Sequence, residues 1–218
     1  IIEAIFDKGS YFEMTKFFGK GIVTGFARIN GYSVGVLAND SNFYAGSMSS
    51  QGARKTTRFV KLCDRFHLPI ISLVDEPGFL IGPEAEKEAT ILHGTEAVLS
   101  VTETSVPWFT LMIRKSFGVA AAAHYGPKGT VIAWPSAESG PLPLEGGVAV
   151  AFKKEIAKSK DPEAKRKEIE LKMSKQLNPF PRAESFSVHE IIDPRDTRTY
   201  LAQWIERIQP QQKAKLLS

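Results

Sequence analysis

Hydrophobic and polar positions alternate along the chain in patterns that predict strands and helices in turn. Two strands are predicted over Gly21–Ile29 and Tyr32–Ala38, and Asn30–Gly31 between them favours a two-residue hairpin turn. A helix is predicted at about 50–66, because apolar residues recur there every three or four positions. Leu68–Val74 is a continuous apolar run, which is typical of a strand buried on both faces.

The next segment continues this alternation. A long helix is predicted from Pro83 or Glu84 to Thr104. Strands over Val106–Ile113 and Gly129–Trp134 follow it. Strands and helices that alternate at this spacing predict right-handed crossovers and a largely parallel sheet, so the predicted fold class is α/β.

The C-terminal part is predicted to be mostly helical. Glu138–Pro143 contains Gly and Pro and is predicted to be a rigid loop. Charged residues at helical spacings begin at about residue 152, and Leu177–Pro181 interrupts them. Asp193 is predicted to cap a final helix over Arg195–Ile208.

The stretch Trp108–Tyr125 carries the clearest indication of chemistry. Its apolar strand is followed by Gly118 and then by small residues as far as Ala123, which predicts a sharp turn from a strand into a helix. The first N–H groups of a helix lack acceptors within it and carry the positive end of its dipole. We therefore predict that the backbone N–H groups of Val119 and Ala120 stabilise an oxyanion. The alternative is a small-residue helix that only packs closely on the sheet.

Ligands of parallel α/β sheets bind beyond the carboxyl ends of the strands, and two loops meet that rule. They are Asp75–Gly82 and Lys115–Ala120. Asp75 and Glu76 could serve chemistry there, or could act as capping or ion-pairing residues. His124 is the histidine nearest the turn, and a packing or hydrogen-bonding role is favoured because no Ser–His–Asp spacing supports a general base.

Composition narrows the range of functions. The net charge is only +4, and the basic residues after residue 152 are interleaved with acidic ones, which indicates an exposed helix rather than nucleic-acid binding. No apolar run is long enough to span a membrane, and no residues have metal-ligand spacing. The single cysteine, Cys63, predicts a reducing compartment. The N-terminus has no initiator Met and no signal-peptide pattern, so we expect a piece of a longer, cytoplasmic protein.

Several ordered motifs carry a family resemblance. They are GIVTGFARINGYSVGVLAND, ARKTTRFVKLCDRFHLPIISLVDEPGFLIG, ILHGTEAVLSVTETSVPWFTLMIRKSFGVAAAAHYG, AWPSAESGPLPLEGG and IIDPRDTR. Together they resemble the C-terminal domain of the carboxyltransferase (β) subunit of biotin-dependent acyl-CoA carboxylases, the propionyl-CoA carboxylase β group. The resemblance implies a crotonase-like (ClpP/crotonase) spiral of ββα units. Residues 1–218 would form the biotin-side domain, with a helical extension from about 152 and without the N-terminal acyl-CoA domain.

The resemblance also implies a ligase-type reaction and its residues. Carboxybiotin on a partner carrier domain supplies CO2, and the enolate of an acyl-CoA captures it. Gly118, Val119 and Ala120 match the family's Gly-Gly-Ala turn, whose amides hold the biotin oxygen. The implied biotin-binding residues are Pro77, Gly78, Phe79, Phe117, Ala121 and Ala122.

Because the sequence departs from the family pattern at several positions, the resemblance does not identify which acyl-CoA is the substrate. Val119 replaces the family's second glycine, Ala121–Ala122 replaces a Tyr-Asp pair that shapes acyl-chain choice, and Pro141–Pro143 replaces Val-Met-Gly. Implied partners are the N-terminal domain, a dimer mate and a biotin carboxyl carrier or biotin carboxylase subunit, in a homo-oligomer from dimer to hexamer. No metal, nucleic acid or membrane is implied. We expect the isolated domain to be inactive, in the cytoplasm or, in a eukaryote, the mitochondrial matrix.

Two alternatives stay open. The same fold serves biotin-dependent acyl-CoA decarboxylases, which run the transfer in reverse. The chain could also be a non-catalytic assembly module, in which 118–123 only packs.

Overall fold

The computed structural model describes residues 1–217, without the side chains of 145, 146, 150 and 215–217. Within this range one sheet of eight strands runs in the order β1-β2-β3-β4-β5-β6-β8, with β7 paired to β5. The strands are β1 Phe12–Met14, β2 Ile22–Ile29, β3 Tyr32–Asn39, β4 Ile70–Glu76, β5 Trp108–Phe117, β6 Thr130–Ala133, β7 Glu138–Gly140 and β8 Glu190–Ile191.

The sheet has an antiparallel start and a parallel centre. Strands β1, β2 and β3 pair antiparallel, and the β2–β3 hairpin closes at Asn30–Gly31, where both residues have positive φ, 49° and 80°. This confirms the predicted turn, because a type I′ hairpin needs positive φ at both central positions. From β3 onwards, β4, β5, β6 and β8 join in parallel register, as the alternation of strands and helices predicted.

The helices cover both faces of this sheet. They are α1 Ile2–Ile5, α2 Ser50–Arg65, α3 Pro83–Lys87, α4 Thr90–Glu103, α5 Gly118–Ala121, α6 Leu144–Ala151, α7 Lys153–Ala157, α8 Pro162–Leu177, α9 Pro179–Glu184 and α10 Thr197–Leu217. Short 3₁₀ turns lie at 44–46, 122–124 and 194–196.

Alternate residues of the central strands face two hydrophobic cores. On β5, Phe109 and Leu111 pack with Trp204 of α10, whereas Trp108 faces the core beneath α2 and α4. The rings of Phe109 and Trp204 meet edge to face with their centroids 5.3 Å apart. Helices α6 to α9 follow one another between Leu144 and Glu184, and then β8 and α10 return the chain to the sheet.

Three sequence predictions about elements were wrong. The long helix over 83–104 is two helices, because Ala89 adopts a left-handed backbone (φ 56°) between them. Residues 138–140 of the predicted loop form β7, which pairs with 115–117 and extends β5 beyond Ile113. The final α-helix begins after a 3₁₀ turn and continues through Pro210 to Leu217, past the predicted end at Ile208.

Candidate functional site

The two predicted loops leave the sheet side by side. Strands β4 and β5 are parallel neighbours, and Glu76 at the end of β4 pairs with Ser116 near the end of β5. The loop that follows β4 therefore starts next to the turn that follows β5. The sequence analysis predicted a ligand site at this edge of the sheet, beyond the carboxyl ends of β4 and β5.

The turn after β5 leaves two backbone donors without an acceptor among the described residues. Gly118 has φ +63°, a left-handed conformation that favours glycine, and α5 begins there. Among residues 1–217, no acceptor bonds to the backbone N–H of Val119 or Ala120. Val119 is exposed, whereas Ala120, its backbone included, is fully buried. Val119 is thus the exposed member of the predicted pair, and the oxyanion role of both amides stays a prediction.

The loop after β4 is held by its own backbone. Gly78 has φ +130°, its carbonyl accepts the Met48 N–H at 3.0 Å, and its N–H donates to Glu76 Oε1 at 3.0 Å. The ring of Phe79 lies over Gly94 of α4, where an added Cβ would lie 2.4 Å from the ring. Phe79 also packs against the core cluster that contains Ala120.

Glu76 is a fully buried carboxylate surrounded by donors. Its Oε2 accepts from Asn39 Nδ2 at 3.0 Å, and its Oε1 accepts from the N–H groups of Met48, at 3.2 Å, and Gly78. His124 Nε2 lies 3.8 Å from Oε2. The carboxylate thus fixes the start of the 77–79 loop from beneath.

His124 ties the helical turn after β5 to the sheet. Its ring is fully buried, and its Nδ1 lies 2.8 Å from Ser72 Oγ. Its carbonyl accepts hydrogen bonds from Trp108 Nε1 at 2.9 Å and Thr110 Oγ1 at 2.8 Å. Within residues 1–217, its Nε2 has no hydrogen-bond partner and faces only the Glu76 carboxylate. Ser72, His124 and Glu76 therefore form a buried row that positions both loops.

Asp75 is an ion-pairing residue. Arg114 Nε and Nη2 bind its two oxygens at 3.0 and 2.9 Å, and the Lys115 N–H donates to Oδ1 at 3.1 Å. The sequence analysis left two roles open for Asp75 and Glu76, catalysis and structural capping or ion pairing. The contacts of both side chains are structural ones.

A cavity of about 280 Å³ lies beside the turn, and we name it the Arg182 cavity. The predicted residues Gly118, Ala121 and Ala122 line it, whereas Pro77, Gly78 and Phe79 do not. Phe117 is almost fully buried, with its ring beside Gly140. The other lining residues are Met112, Ser116, Tyr125, Ser139, Gly140, Arg182, Ser187 and Val188.

The polar residues of this cavity were not identified from the sequence. Ser116 Oγ and Tyr125 Oη lie 2.6 Å apart. Burial raises the pKa of Tyr125, against smaller opposing effects of Ser116 and Arg182. Ser139 is buried, and its Oγ has no partner within residues 1–217. These residues come from β5, β7, α9 and a loop, so no sequence spacing links them.

The described residues also bear on metal binding, membrane spanning and cysteine reactivity. Within residues 1–217, no group of three or more His, Cys, Asp and Glu side chains is placed to hold a metal ion. None of the helices in that range combines the length and the apolar character that a membrane span requires. Burial raises the pKa of the Cys63 thiol to about 12.

Comparison with known proteins decides the family. Residues 1–216 match the model of the carboxyl transferase domain. The chain therefore belongs to the carboxyl transferase domain family. Its fold is the crotonase-like α/β fold, as the resemblance implied.

Relatives include carboxylating and decarboxylating enzymes. The carboxyl transferase domain is 34% identical to a propionyl-CoA carboxylase carboxyltransferase subunit of Haloferax mediterranei, over 99% of this chain and 42% of the relative. It is 35% identical to the methylmalonyl-CoA decarboxylase α subunit of Propionigenium modestum, over 91% of this chain and 39% of the relative.

A solved structure matches closely as well. The transcarboxylase 12S hexamer with methylmalonyl-coenzyme A and methylmalonic acid bound gives a TM-score of 0.88 at 37% identity, over 95% of this chain and 41% of that one. The carboxyl transferase domain thus spans about two fifths of the relatives it matches.

Proposed function

We propose that this carboxyl transferase domain forms the biotin side of a biotin-dependent acyl-CoA carboxylase, a ligase-type enzyme. The observation that carries the proposal is the turn after β5, where the N–H groups of Val119 and Ala120 have no acceptor within residues 1–217. Membership of the carboxyl transferase family supports carboxyl transfer as the reaction in which these donors act.

The proposed chemistry needs few side chains. Biotin, carried as carboxybiotin on a partner domain, supplies the carboxyl group that an acyl-CoA accepts at its α-carbon. The amides of Val119 and Ala120 stabilise the negative charge that develops on the biotin oxygen. Such donors lower the barrier because they are already oriented towards the charge before it forms. We expect the small side chains of Ala121 and Ala122 and the backbone of Gly118 to leave room for biotin beside these amides. The Pro77–Phe79 loop, which starts next to this turn, is expected to contact biotin from the neighbouring strand end.

Partners complete this site in the proposal. The chain spans about two fifths of its relatives, so acyl-CoA is bound by an N-terminal domain outside these residues, and the 218 residues alone are inactive. Leu92 and Leu99 of α4 are seven residues apart and both exposed, which suits burial against a dimer mate or that domain. A biotin carboxyl carrier delivers the carboxyl group, and the single reduced, buried Cys63 favours the cytoplasm.

A decarboxylase is the second candidate. The methylmalonyl-CoA decarboxylase α subunit of Propionigenium modestum, at 35% identity, favours this candidate. The proposed donors would stabilise the same charge on the biotin oxygen when the carboxyl group is transferred from the acyl-CoA to biotin. A non-catalytic assembly role remains the third, and it predicts that the turn serves packing alone.

Reconstitution tests the proposal. The full-length protein is combined with a biotin carboxylase and a biotinylated carrier, and incorporation of labelled bicarbonate is measured across a panel of acyl-CoAs. Labelled product with at least one acyl-CoA is expected. Loss of label from a carboxylated acyl-CoA to the carrier, without forward carboxylation, would instead favour the decarboxylase.

The turn itself is tested by Val119→Pro, which removes one N–H at an exposed first-turn position. Turnover is expected to fall by about 10²–10³-fold, the typical cost of one oxyanion donor. Val119→Ala keeps the N–H and serves as the matched control. Equal turnover in both variants, with unchanged circular dichroism and oligomeric state, would favour the assembly role.

A further inference from the structure

The Arg182 cavity has the chemistry of a site for a small anion. Arg182 is the one charged residue among the described residues that line it, and none of these described residues is acidic. Within residues 1–217, no hydrogen-bond acceptor or carboxylate pairs with its guanidinium. That cation lies close enough to Tyr125 to act electrostatically on the phenol.

Hydroxyl donors supplement this cation. Ser139 is only 7% exposed, and its Oγ has no partner within residues 1–217 although it lines the cavity. A buried hydroxyl without a partner is costly, so a ligand that bonds to it gains that cost back. Ser116 and Tyr125 share one hydrogen bond, 2.6 Å long, which leaves one hydroxyl proton of the pair to donate elsewhere.

The shape of the cavity suits a short carbon-bearing anion. Gly118, Ala121, Ala122 and Gly140 contribute almost no side-chain volume, and Met112 and Val188 form its apolar part. A volume of about 280 Å³ is several times that of one water molecule, roughly 30 Å³ in the liquid. Gly118 and Ser187 are exposed, so the space opens to solvent.

We propose that the Arg182 cavity binds a carboxylate. Arg182 pairs with the carboxylate oxygens, while Ser139 and the Ser116–Tyr125 pair donate hydrogen bonds to them. The ligand is either a free small carboxylate or bicarbonate, or a carboxylate at the far end of the acyl chain of a CoA thioester. Only the second source rests on the proposed function.

The first arm of the test needs no turnover. Binding of 13C-labelled acetate and bicarbonate to the full-length protein is followed by NMR line broadening, with chloride at equal ionic strength as the reference. If the source is a free anion, Arg182→Gln is expected to weaken binding by about tenfold to a hundredfold, the effect of losing one charge-assisted contact. Arg182→Lys should recover part of it, and Arg166→Gln, which removes an exposed charge elsewhere, should have no effect.

The second arm tests the acyl-chain source. Direct binding of glutaryl-CoA, whose acyl chain ends in a carboxylate, is compared with that of pentanoyl-CoA, which has as many acyl carbons and no carboxylate. An acyl-chain source predicts that glutaryl-CoA binds more tightly and that Arg182→Gln and Ser139→Ala remove the difference.

The outcomes are separable. An Arg182-dependent signal in either arm supports the carboxylate site and identifies its source. Absence of binding in both arms, or binding that Arg182→Gln leaves unchanged, overturns it even if the reconstituted enzyme is active. Arg182-dependent acetate binding in a protein that carboxylates no acyl-CoA would refute the proposed function and leave this site standing.

Discussion

Replacement of Glu76 by glutamine tests whether the buried carboxylate holds the two loops. The substitution keeps the size of the side chain and exchanges one acceptor oxygen for an NH2 donor. Oε1 can still accept from Met48 and Gly78. At the Oε2 position, the new donor would face Asn39 Nδ2, which now donates there at 3.0 Å, and His124 Nε2.

Asn39 cannot adapt without loss. Rotation of its amide would present Oδ1 to the new NH2 group. However, Oδ1 already accepts from the Asp75 N–H at 3.1 Å, and Nδ2 also donates to the Gly46 carbonyl at 3.1 Å. Either arrangement loses at least one hydrogen bond in a site with no water access, because Glu76 is fully buried. A hydrogen bond to a charged group contributes about 1.5–3 kcal/mol, so we expect Glu76→Gln to lower the free energy of unfolding by about 2 kcal/mol.

Urea denaturation at neutral pH, followed by tryptophan fluorescence and circular dichroism, measures this change as a shift of the midpoint at constant slope. The matched control is Glu84→Gln, the same substitution at a side chain that is 84% exposed and pairs only with Lys87 within residues 1–217. That variant is expected to unfold like the unmodified protein, since exposed ion pairs contribute little. If both variants share the unmodified midpoint, Glu76 is not the anchor that its contacts suggest.

Three further predictions follow from single contacts. Gly126→Ala places a Cβ 2.4 Å from the Trp108 ring and should cost about 1–3 kcal/mol of stability through overpacking, and an unchanged thermal midpoint would contradict the close contact. The pKa of Asp7 is lowered mainly by its hydrogen bond to Arg198, so its stabilisation is lost as pH falls below about 4, the unfolded value. The urea midpoint should therefore drop more steeply towards pH 3 in the unmodified protein than in Asp7→Asn, and parallel curves would refute this. The buried Cys63 thiol, whose pKa burial raises to about 12, should react with a thiol reagent at pH 8 only after unfolding.

The sequence by itself determined the elements whose signals are local. Asn30–Gly31 specified its hairpin because few other residue pairs adopt positive φ twice in succession. The apolar run at 68–74 indicated a buried strand, and Gly118 with the small residues after it indicated the turn from strand to helix. Each of these depends on residues adjacent in the chain, so composition and spacing carry the information.

Only the tertiary structure decided the features that depend on distant partners. The pairing of 138–140 with 115–117 has no local signal, because it joins two segments that are more than 20 residues apart. The left-handed backbone of Ala89, which divides the predicted helix, is not indicated by the residue type either. The contact between Glu76 and His124 joins residues 48 positions apart, and Arg182 reaches the turn from a helix some 60 residues further on. A buried carboxylate and a cavity are defined by what surrounds them, and packing alone determines those surroundings.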